Sequence, residues 1–252
     1  MIPQLNDWTS VQRTEGTNLR LGMTLAFVAG ATNAGGFLAV GQYTSHMTGV
    51  VSSIADNLVL GQITLALAGL IALGAFLAGA MTTAWMVNWA LRRQLQSAYA
   101  GPLLLEALLL LVFGLFGTGI NFFAGLFVPL TVLVLCFIMG LQNAVITKIS
   151  HAEIRTTHVT GLITDLGIEL GKLLYINGLH EVTPVMANRK KLRLHMTLIA
   201  SFFIGGLLGA IGFKFMGFIT TVPLSVLLLM LVWHPVVKDT HNWISRLHPK
   251  RD

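Results

Sequence analysis

Long apolar stretches alternate along the chain with short polar connections, and six of them are long enough to be transmembrane helices. A helix needs roughly 20 residues to cross the hydrocarbon core of a bilayer. The six stretches comprise residues 21–40, 63–91, 102–120, 122–147, 196–213 and 215–232. Glu106 lies in the first turns of the third stretch, where we expect it near the membrane interface. The pattern predicts an all-α, polytopic membrane protein.

Two further apolar stretches, residues 50–60 and 162–176, are too short and too polar to be ordinary lipid-facing spans. The first contains Ser52, Ser53 and Asp56, and the second contains Asp165 and Glu169. A transmembrane helix exposes few such groups to lipid because each is costly there. We therefore predict a short re-entrant or broken helix at each place.

A sequence motif occurs twice, once before each short helix. Residues 44–49 read TSHMTG and residues 156–161 read TTHVTG, identical at four of six positions. A second pair lies upstream, GATNA at 30–34 and GLQNA at 140–144. Internal repeats of this kind indicate a duplicated unit. We divide the chain into a cytoplasmic segment (1–20), two membrane repeats (21–120 and 121–233) and a cytoplasmic tail (234–252).

Composition supports a membrane location. Hydrophobic residues make up 54% of the chain and charged residues 10%, compared with about 25% charged residues in soluble domains. The net charge of +6 does not indicate nucleic acid, because the basic residues flank the apolar stretches. A signal peptide is the competing reading of the N-terminus, but the first apolar stretch continues to residue 40 and contains the duplicated motif.

The distribution of Lys and Arg predicts the topology. If six stretches span and the two short helices do not, fifteen of the sixteen Lys and Arg residues share one side, and only Lys214 lies opposite. This is the asymmetry expected for a cytoplasmic side that includes both termini. Each repeat then has three spans. Because three is an odd number, the second repeat begins on the opposite side of the membrane and is inverted relative to the first. Two inverted-topology three-helix repeats, each with a re-entrant or broken helix, are a recurring plan among secondary transporters.

Ionisable residues form a stripe on the second short helix. His158, Asp165, Glu169 and Lys172 recur at helical spacing, and His46, Ser53 and Asn57 stand at the equivalent positions of the first repeat. Charged groups at membrane depth usually face protein, water or a solute. Glu169 and Lys172, three residues apart, are predicted to form a supporting ion pair. His158 and Asp165 remain as candidates for proton coupling.

The duplicated motifs supply the candidate solute ligands. Hydroxyl groups of Thr44 or Ser45, and of Thr156 or Thr157, are suited to capping the helices that follow, and the positive helix ends favour anions. The predicted substrate-binding residues are Asn33, His46, Thr48, Asn143, Thr157, His158 and Thr160. Purely structural roles compete with this interpretation: helix capping for Thr48 and Thr160, and packing for the histidines.

These motifs resemble those of the YoaK-like family of small bacterial membrane proteins. The resemblance rests on GxxNA, HMTG, GLQNA, residues 155–161 (RTTHVTG) and residues 164–167 (TDLG), and it covers nearly the whole chain. It implies a permease-like protein with six spans in the bacterial inner membrane, although the family is described mainly as a domain of unknown function. Many members carry Asp at position 33 and Asn at position 50, where this chain has Asn33 and Val50.

We predict a secondary permease for a small polar or anionic solute, with the site between the inverted repeats. The alternatives are a passive channel and a non-transporting scaffold or regulator. An enzyme is not expected, because HExxH, GxSxG and cysteine clusters are absent from the sequence. A haem held by His46 and His158 is a further alternative, but no cofactor or metal is predicted. The expected partners are the lipid bilayer and a solute or ion, and Gly205 with Gly209 would suit packing within the chain or in a homo-oligomer.

Overall fold

The computed structural model describes Thr9 and residues 15–117, 124–150, 154–178 and 183–247. All regular secondary structure in these residues is helical. The α-helices are α1 (Glu15–Val40), α2 (Met47–Val59), α3 (Ile63–Arg92), α4 (Ala100–Phe116), α5 (Ala124–Ile149), α6 (Val159–Leu174), α7 (Arg189–Met216) and α8 (Thr221–Leu247). A 3-10 turn, Gly217–Thr220, joins α7 to α8. The all-helical prediction is confirmed.

Four helical stretches within the described residues are long and apolar enough to cross a membrane. They are Gly16–Leu38, Ile63–Arg92, Pro129–Ile149 and Arg189–Trp233. The last of these contains α7 and the first part of α8, and the chain turns between them at Gly217, whose φ is +62°. A shorter apolar helix covers Ala100–Leu115. These lengths and compositions indicate an integral membrane protein, as the sequence predicted.

The helices form three main packing pairs, α1 with α7, α3 with α5, and α4 with α8. The first two pairs are parallel, because their contacting residues advance together along both helices. These contacts join Gly22 to Leu198, Gly35 to Phe213, Thr83 to Leu141 and Lys148 to Asn88. The third pair is antiparallel, with hydrogen bonds from Thr221 to the Leu110 carbonyl and from Ser225 to the Ala107 carbonyl.

Helices α1 and α5 also contact each other, and they run antiparallel. The Gln142 amide donates to the Leu25 carbonyl at 3.0 Å, and Gly36 lies against Leu135. Leu25, Leu135 and Gln142 are fully buried, so this contact belongs to the core. The first helix of each predicted repeat therefore lies beside the other in the opposite direction.

Glycines allow the two parallel pairs to approach backbone to backbone. Gly30 of α1 lies against the Phe202 carbonyl, and Gly205 of α7 lies against the Phe27 carbonyl. The α3·α5 pair repeats the arrangement, with Gly79 against the Phe137 carbonyl and Gly140 against the Phe76 carbonyl. A Cβ at any of the four glycines would collide with the opposite backbone. Gly205 and Gly209 face α1, so this GxxxG pair packs within the chain.

The short helices lie at the edge of this bundle, α2 against α3 and α6 against α7. Only Ile54 of α2 is buried, and only Leu162 and Glu169 of α6. Both helices are amphipathic, with apolar residues concentrated on one face. The sequence predicted a short helix at each of these places, and the structure has one there.

Two boundaries that differ from the predicted ones are the start of α7 and the end of α8. The predicted apolar stretch began at residue 196, but residues 189–193 already form the first turns of the helix. The cause is Asn188, whose side chain accepts hydrogen bonds from the N–H groups of Lys190 and Lys191. This N-cap begins the helix seven residues before its apolar stretch. Helix α8 likewise continues past residue 233 to Leu247.

Candidate functional site

The Asn residue of each upstream motif, Asn33 or Asn143, forms hydrogen bonds with the segment that precedes a short helix. Asn33 Oδ1 accepts hydrogen bonds from the Ser45 N–H at 3.2 Å and from the Ser45 hydroxyl at 2.9 Å. In the second half, the Thr157 hydroxyl donates to Asn143 Oδ1 at 2.6 Å. The Asn143 amide nitrogen also donates to the Met139 carbonyl. Both polar atoms of Asn143 are thus occupied, and its geometry supports a structural role.

A histidine occupies the N-cap of each short helix. His46 precedes α2 and His158 precedes α6, and neither makes a side-chain capping hydrogen bond. The prediction that the hydroxyls of Thr44, Ser45, Thr156 or Thr157 cap these helices is therefore wrong: Ser45 and Thr157 bind the Asn residues instead. Thr44 and Thr156 are buried, and their hydroxyls lack a hydrogen-bond partner within the described part of the chain.

Each N-cap histidine folds back over the glycine of its own motif. The ring of His158 lies so close to Gly161 that an added Cβ would stand 2.5 Å from Nδ1. A Cβ on Gly49 would collide with the ring of His46 in the same way. The glycine in each hexapeptide leaves room for the imidazole, which explains why His and Gly recur together three residues apart.

A cavity of about 700 Å³ opens where α6 meets α7, and we name it the charged pocket. Its ionisable lining residues are Arg155, His158, Asp165, Glu169, Lys172, Lys191 and His195. Thr160 and Gly161, at the first turn of α6, also line it. The predicted stripe of His158, Asp165, Glu169 and Lys172 therefore faces one cavity. The helical spacing of these residues was sufficient to find this part of the site.

Some of the charged side chains in the charged pocket are paired with other residues that the structure describes, and some are not. Lys172 pairs with Glu169 at 2.8 Å, the predicted ion pair, and the N–H of Asn188 donates to the other carboxylate oxygen at 2.6 Å. The Lys172 hydrogen bond, followed by that of Asn188, lowers the pKa of Glu169. Arg155 donates to His158 Nδ1 at 2.9 Å. Asp165 has no hydrogen bond or ion pair with any residue that the structure describes.

His195 is a member of this site that the sequence interpretation missed. It lies one helical turn after Lys191 on α7, its side chain is 6% exposed, and Nδ1 lacks a partner within the described ranges. The signal that could have found it is the Asn188 N-cap. Once α7 begins at Arg189, Lys191 and His195 stand at i and i+4 on one face.

A second cavity, of about 680 Å³, lies where α2 meets α3, and we name it the neutral pocket. His46, Ser53 and Asn57 line it, and the Asn57 amide donates to the Ser53 hydroxyl at 3.2 Å. Its other lining residues include Tyr43, Leu65 and Gly69, and none of its described lining residues is Asp, Glu, Lys or Arg. The two pockets thus share a histidine and a glycine but differ in charge.

The predicted substrate-binding residues are not all brought together. His158 and Thr160 line the charged pocket, and His46 lines the neutral pocket. The remaining predicted residues, Asn33, Thr48, Asn143 and Thr157, line neither cavity. No group of three or more His, Cys, Asp or Glu side chains in the described residues is arranged to hold a metal ion.

Glu106, which the sequence suggested would lie near the membrane interface, is buried inside the helix bundle. It is 0% exposed in α4, and both carboxylate oxygens lack a hydrogen-bond partner in the described residues. An unpaired charge in such surroundings is costly. Glu106 lines neither the charged nor the neutral pocket.

Comparison with known proteins gives a family but no activity. No curated protein and no solved structure matches this chain. Residues 21–234 match the model of a family described as protein of unknown function, DUF1275. This agrees with the expectation of a domain of unknown function, while the YoaK-like resemblance and its permease-like character remain predictions. Because the match spans most of the sequence and includes both copies of the hexapeptide, the chain belongs to the DUF1275 family.

Proposed function

We propose that this protein is a secondary permease that carries a small polar or anionic solute through the bacterial inner membrane. The observation that carries the proposal is the charged pocket. It combines a cavity of about 700 Å³ with at least five charged side chains, in a chain that is otherwise built of apolar helices. Ionisable groups among membrane helices commonly mark solute or proton pathways.

The proposal includes six spans arranged as two inverted repeats, residues 21–120 and 121–233. Three features of the packing support it. The first helices of the two halves, α1 and α5, run antiparallel, as do the last helices, α4 and α8. The short helices pack equivalently, α2 on α3 and α6 on α7. The glycine crossings of α1 with α7 and of α3 with α5 also correspond.

Cysteine labelling tests this topology directly. The chain has one cysteine, Cys136, which is buried, so a Cys136→Ala background gives a silent reference. In the six-span arrangement with both termini cytoplasmic, a cysteine at Gln62 reacts with an impermeant maleimide from outside, and one at Gln94 reacts only after the membrane is opened. If the short helices crossed the membrane, the two positions would exchange their labelling, and the six-span proposal would be rejected.

His158 and Asp165 are proposed to couple transport to protons. Both line the charged pocket, and Asp165 is the carboxylate there that no described residue pairs with. An imidazole ring can both donate and accept a proton. The charged pocket therefore contains an imidazole and the carboxylate of Asp165 in the lining of one cavity.

Uptake into proteoliposomes is the functional test. With a pH gradient imposed, we expect Asp165→Asn to abolish gradient-driven uptake while the protein still purifies as a folded species. Asp56→Asn is the matched control, because Asp56 occupies the short helix of the other half and lies outside both pocket linings. Unchanged uptake in Asp165→Asn would remove Asp165 from the mechanism, and flux without saturation would favour a passive channel.

A further inference from the structure

The charged pocket carries an excess of positive charge. Arg155, Lys172 and Lys191 supply three full positive charges, whereas Asp165 and Glu169 supply two negative ones. Lys172 and Glu169 form an ion pair with each other at 2.8 Å. Two cationic side chains, Arg155 and Lys191, therefore remain in the lining, together with one carboxylate that no described residue pairs with, Asp165.

His195 adds a buried ring nitrogen to which no described residue hydrogen-bonds. The side chain lines the pocket, it is only 6% exposed, and Nδ1 has no partner among the described residues. Buried polar atoms in native proteins are normally paired. An unpaired one at the wall of a polar cavity points to a ligand as the missing partner.

The first turn of α6 also faces the cavity. Thr160 and Gly161 line it, and the N-cap His158 makes no side-chain capping bond, so the first N–H groups of the helix receive no cap from that residue. Uncapped N–H groups and the helix dipole favour an anionic group at this position. The helix end thus adds to the attraction exerted by the side chains.

The neutral pocket shows that a short helix can pack against its neighbour without Lys or Arg among the described residues between them. Tyr43 and Arg155 each precede a hexapeptide directly, and Leu65 and Lys191 each stand fourteen residues before a crossing glycine, Gly79 or Gly205. By the same spacing Gly69 corresponds to His195. The neutral pocket has nearly the same volume without any of the three basic groups.

We propose that the charged pocket binds the oxyanion group, a carboxylate or phosphate, of a small solute, and that Arg155, Lys191 and His195 hold it. The neutral pocket, which lacks these residues, has no corresponding anion site. This inference rests on the proposed function, because it names the class of solute that the permease carries. The recognition follows from charge-assisted hydrogen bonds, of which the arginine contributes a planar pair of donors.

Binding is measured without transport, on protein purified in a nonionic detergent. The unfolding temperature is recorded against increasing sodium phosphate, and separately against sodium succinate, with sodium chloride keeping the ionic strength constant. A ligand that binds only the folded state raises the unfolding temperature with its concentration. We expect a saturable rise for at least one of the two anions.

Substitutions taken from the neutral pocket provide the variants. Lys191→Leu and Arg155→Tyr install the residues found at the equivalent positions, and both side chains are exposed enough to be replaced without emptying the core. Each should weaken the apparent affinity at least tenfold. Arg189→Leu is the control, because it removes the same charge two residues from Lys191 and outside the pocket, and we expect less than a twofold change.

A wild-type protein that responds to neither anion, or that responds exactly as Lys191→Leu does, would overturn the proposal. Nanodiscs of phosphatidylcholine, with or without phosphatidylglycerol, identify the source of the anion. Loss of the phosphate response with the anionic lipid would assign the site to a lipid headgroup, and a retained response would assign it to a free solute. Anion binding without uptake would reject the permease alone, and uptake without anion binding would reject the anion site alone.

Discussion

Substitution of Gly79 by alanine should separate α3 from α5 and lower the stability of the protein. The added methyl would collide with the Phe137 carbonyl and stand 3.0 Å from the Leu141 N–H nitrogen. Both obstacles are backbone atoms, so no side-chain rotation relieves the contact. The helices must move apart, which also stretches the hydrogen bond from Thr83 to the Leu141 carbonyl, 3.0 Å long in the native structure. Overpacking of this kind costs about 1–3 kcal/mol.

Gly74 provides the matched control on the same helix. A Cβ there would meet no atom within 4 Å, so Gly74→Ala should be neutral or gain about 0.5–1 kcal/mol from the higher helix propensity of alanine. The two variants make the same chemical change, five residues apart in α3. We therefore expect them to differ by about 1–4 kcal/mol in the free energy of unfolding.

Equilibrium unfolding in mixed micelles with increasing dodecyl sulfate measures this difference. Combinations of variants sharpen the test. Gly140 lies in the same crossing as Gly79, so Gly140→Ala should cost much less in the Gly79→Ala background, where the helices have already separated. Gly205 lies in the α1·α7 crossing, and its substitution should be additive with that of Gly79. If Gly79→Ala proves as stable as Gly74→Ala, the backbone contact is not what holds these helices together.

Two further predictions concern the second short helix. Gly161→Ala should displace the His158 ring and reduce uptake. Gly171→Ala is the control and should leave uptake unchanged, because an added Cβ there would meet no atom within 4 Å. Equal uptake by the two variants would show that the position of the ring is unimportant. The hydrogen bond from Lys172 lowers the pKa of Glu169 in the folded protein. The ionised carboxylate therefore stabilises the folded state fully at pH values above its unfolded pKa, near 4.3. This stabilisation is lost as the pH falls through the lower pKa of the folded state. The unfolding temperature should therefore fall more steeply between pH 7 and pH 3 for the wild-type protein than for Glu169→Gln. Parallel pH dependences of the two unfolding temperatures would contradict this role of Glu169.

The pattern of apolar residues predicted most of the helices, because a long apolar stretch has few alternatives to a buried or lipid-facing helix. The start of α3 at Ile63 and the extents of α2 and α6 lie within three residues of their predicted positions. The start of α7 was missed because a polar N-cap, not an apolar residue, begins it. A hydrophobic pattern cannot report a helix turn that is basic and exposed.

The roles of the repeated polar residues could be predicted only in part. Their recurrence and helical spacing identified the stripe that lines the charged pocket, since residues at i, i+7 and i+11 share a face in any straight helix. The same reasoning assigned Asn33, Asn143 and Thr157 to the solute. In the structure these residues hydrogen-bond within the chain and join the segment before a short helix to a neighbouring helix, between positions 12 and 14 residues apart.

By itself, the sequence determined the helical class, the duplicated motifs and the ionisable face of α6, because each depends on local composition and periodicity. Only the tertiary structure decided which helices meet. It placed the two hexapeptides in separate pockets and brought Lys191 and His195 from α7 opposite Asp165 on α6. It also buried Glu106 without a described partner. These outcomes depend on the packing of helices far apart in the chain, where glycines set the distance of approach and no local pattern records the neighbour.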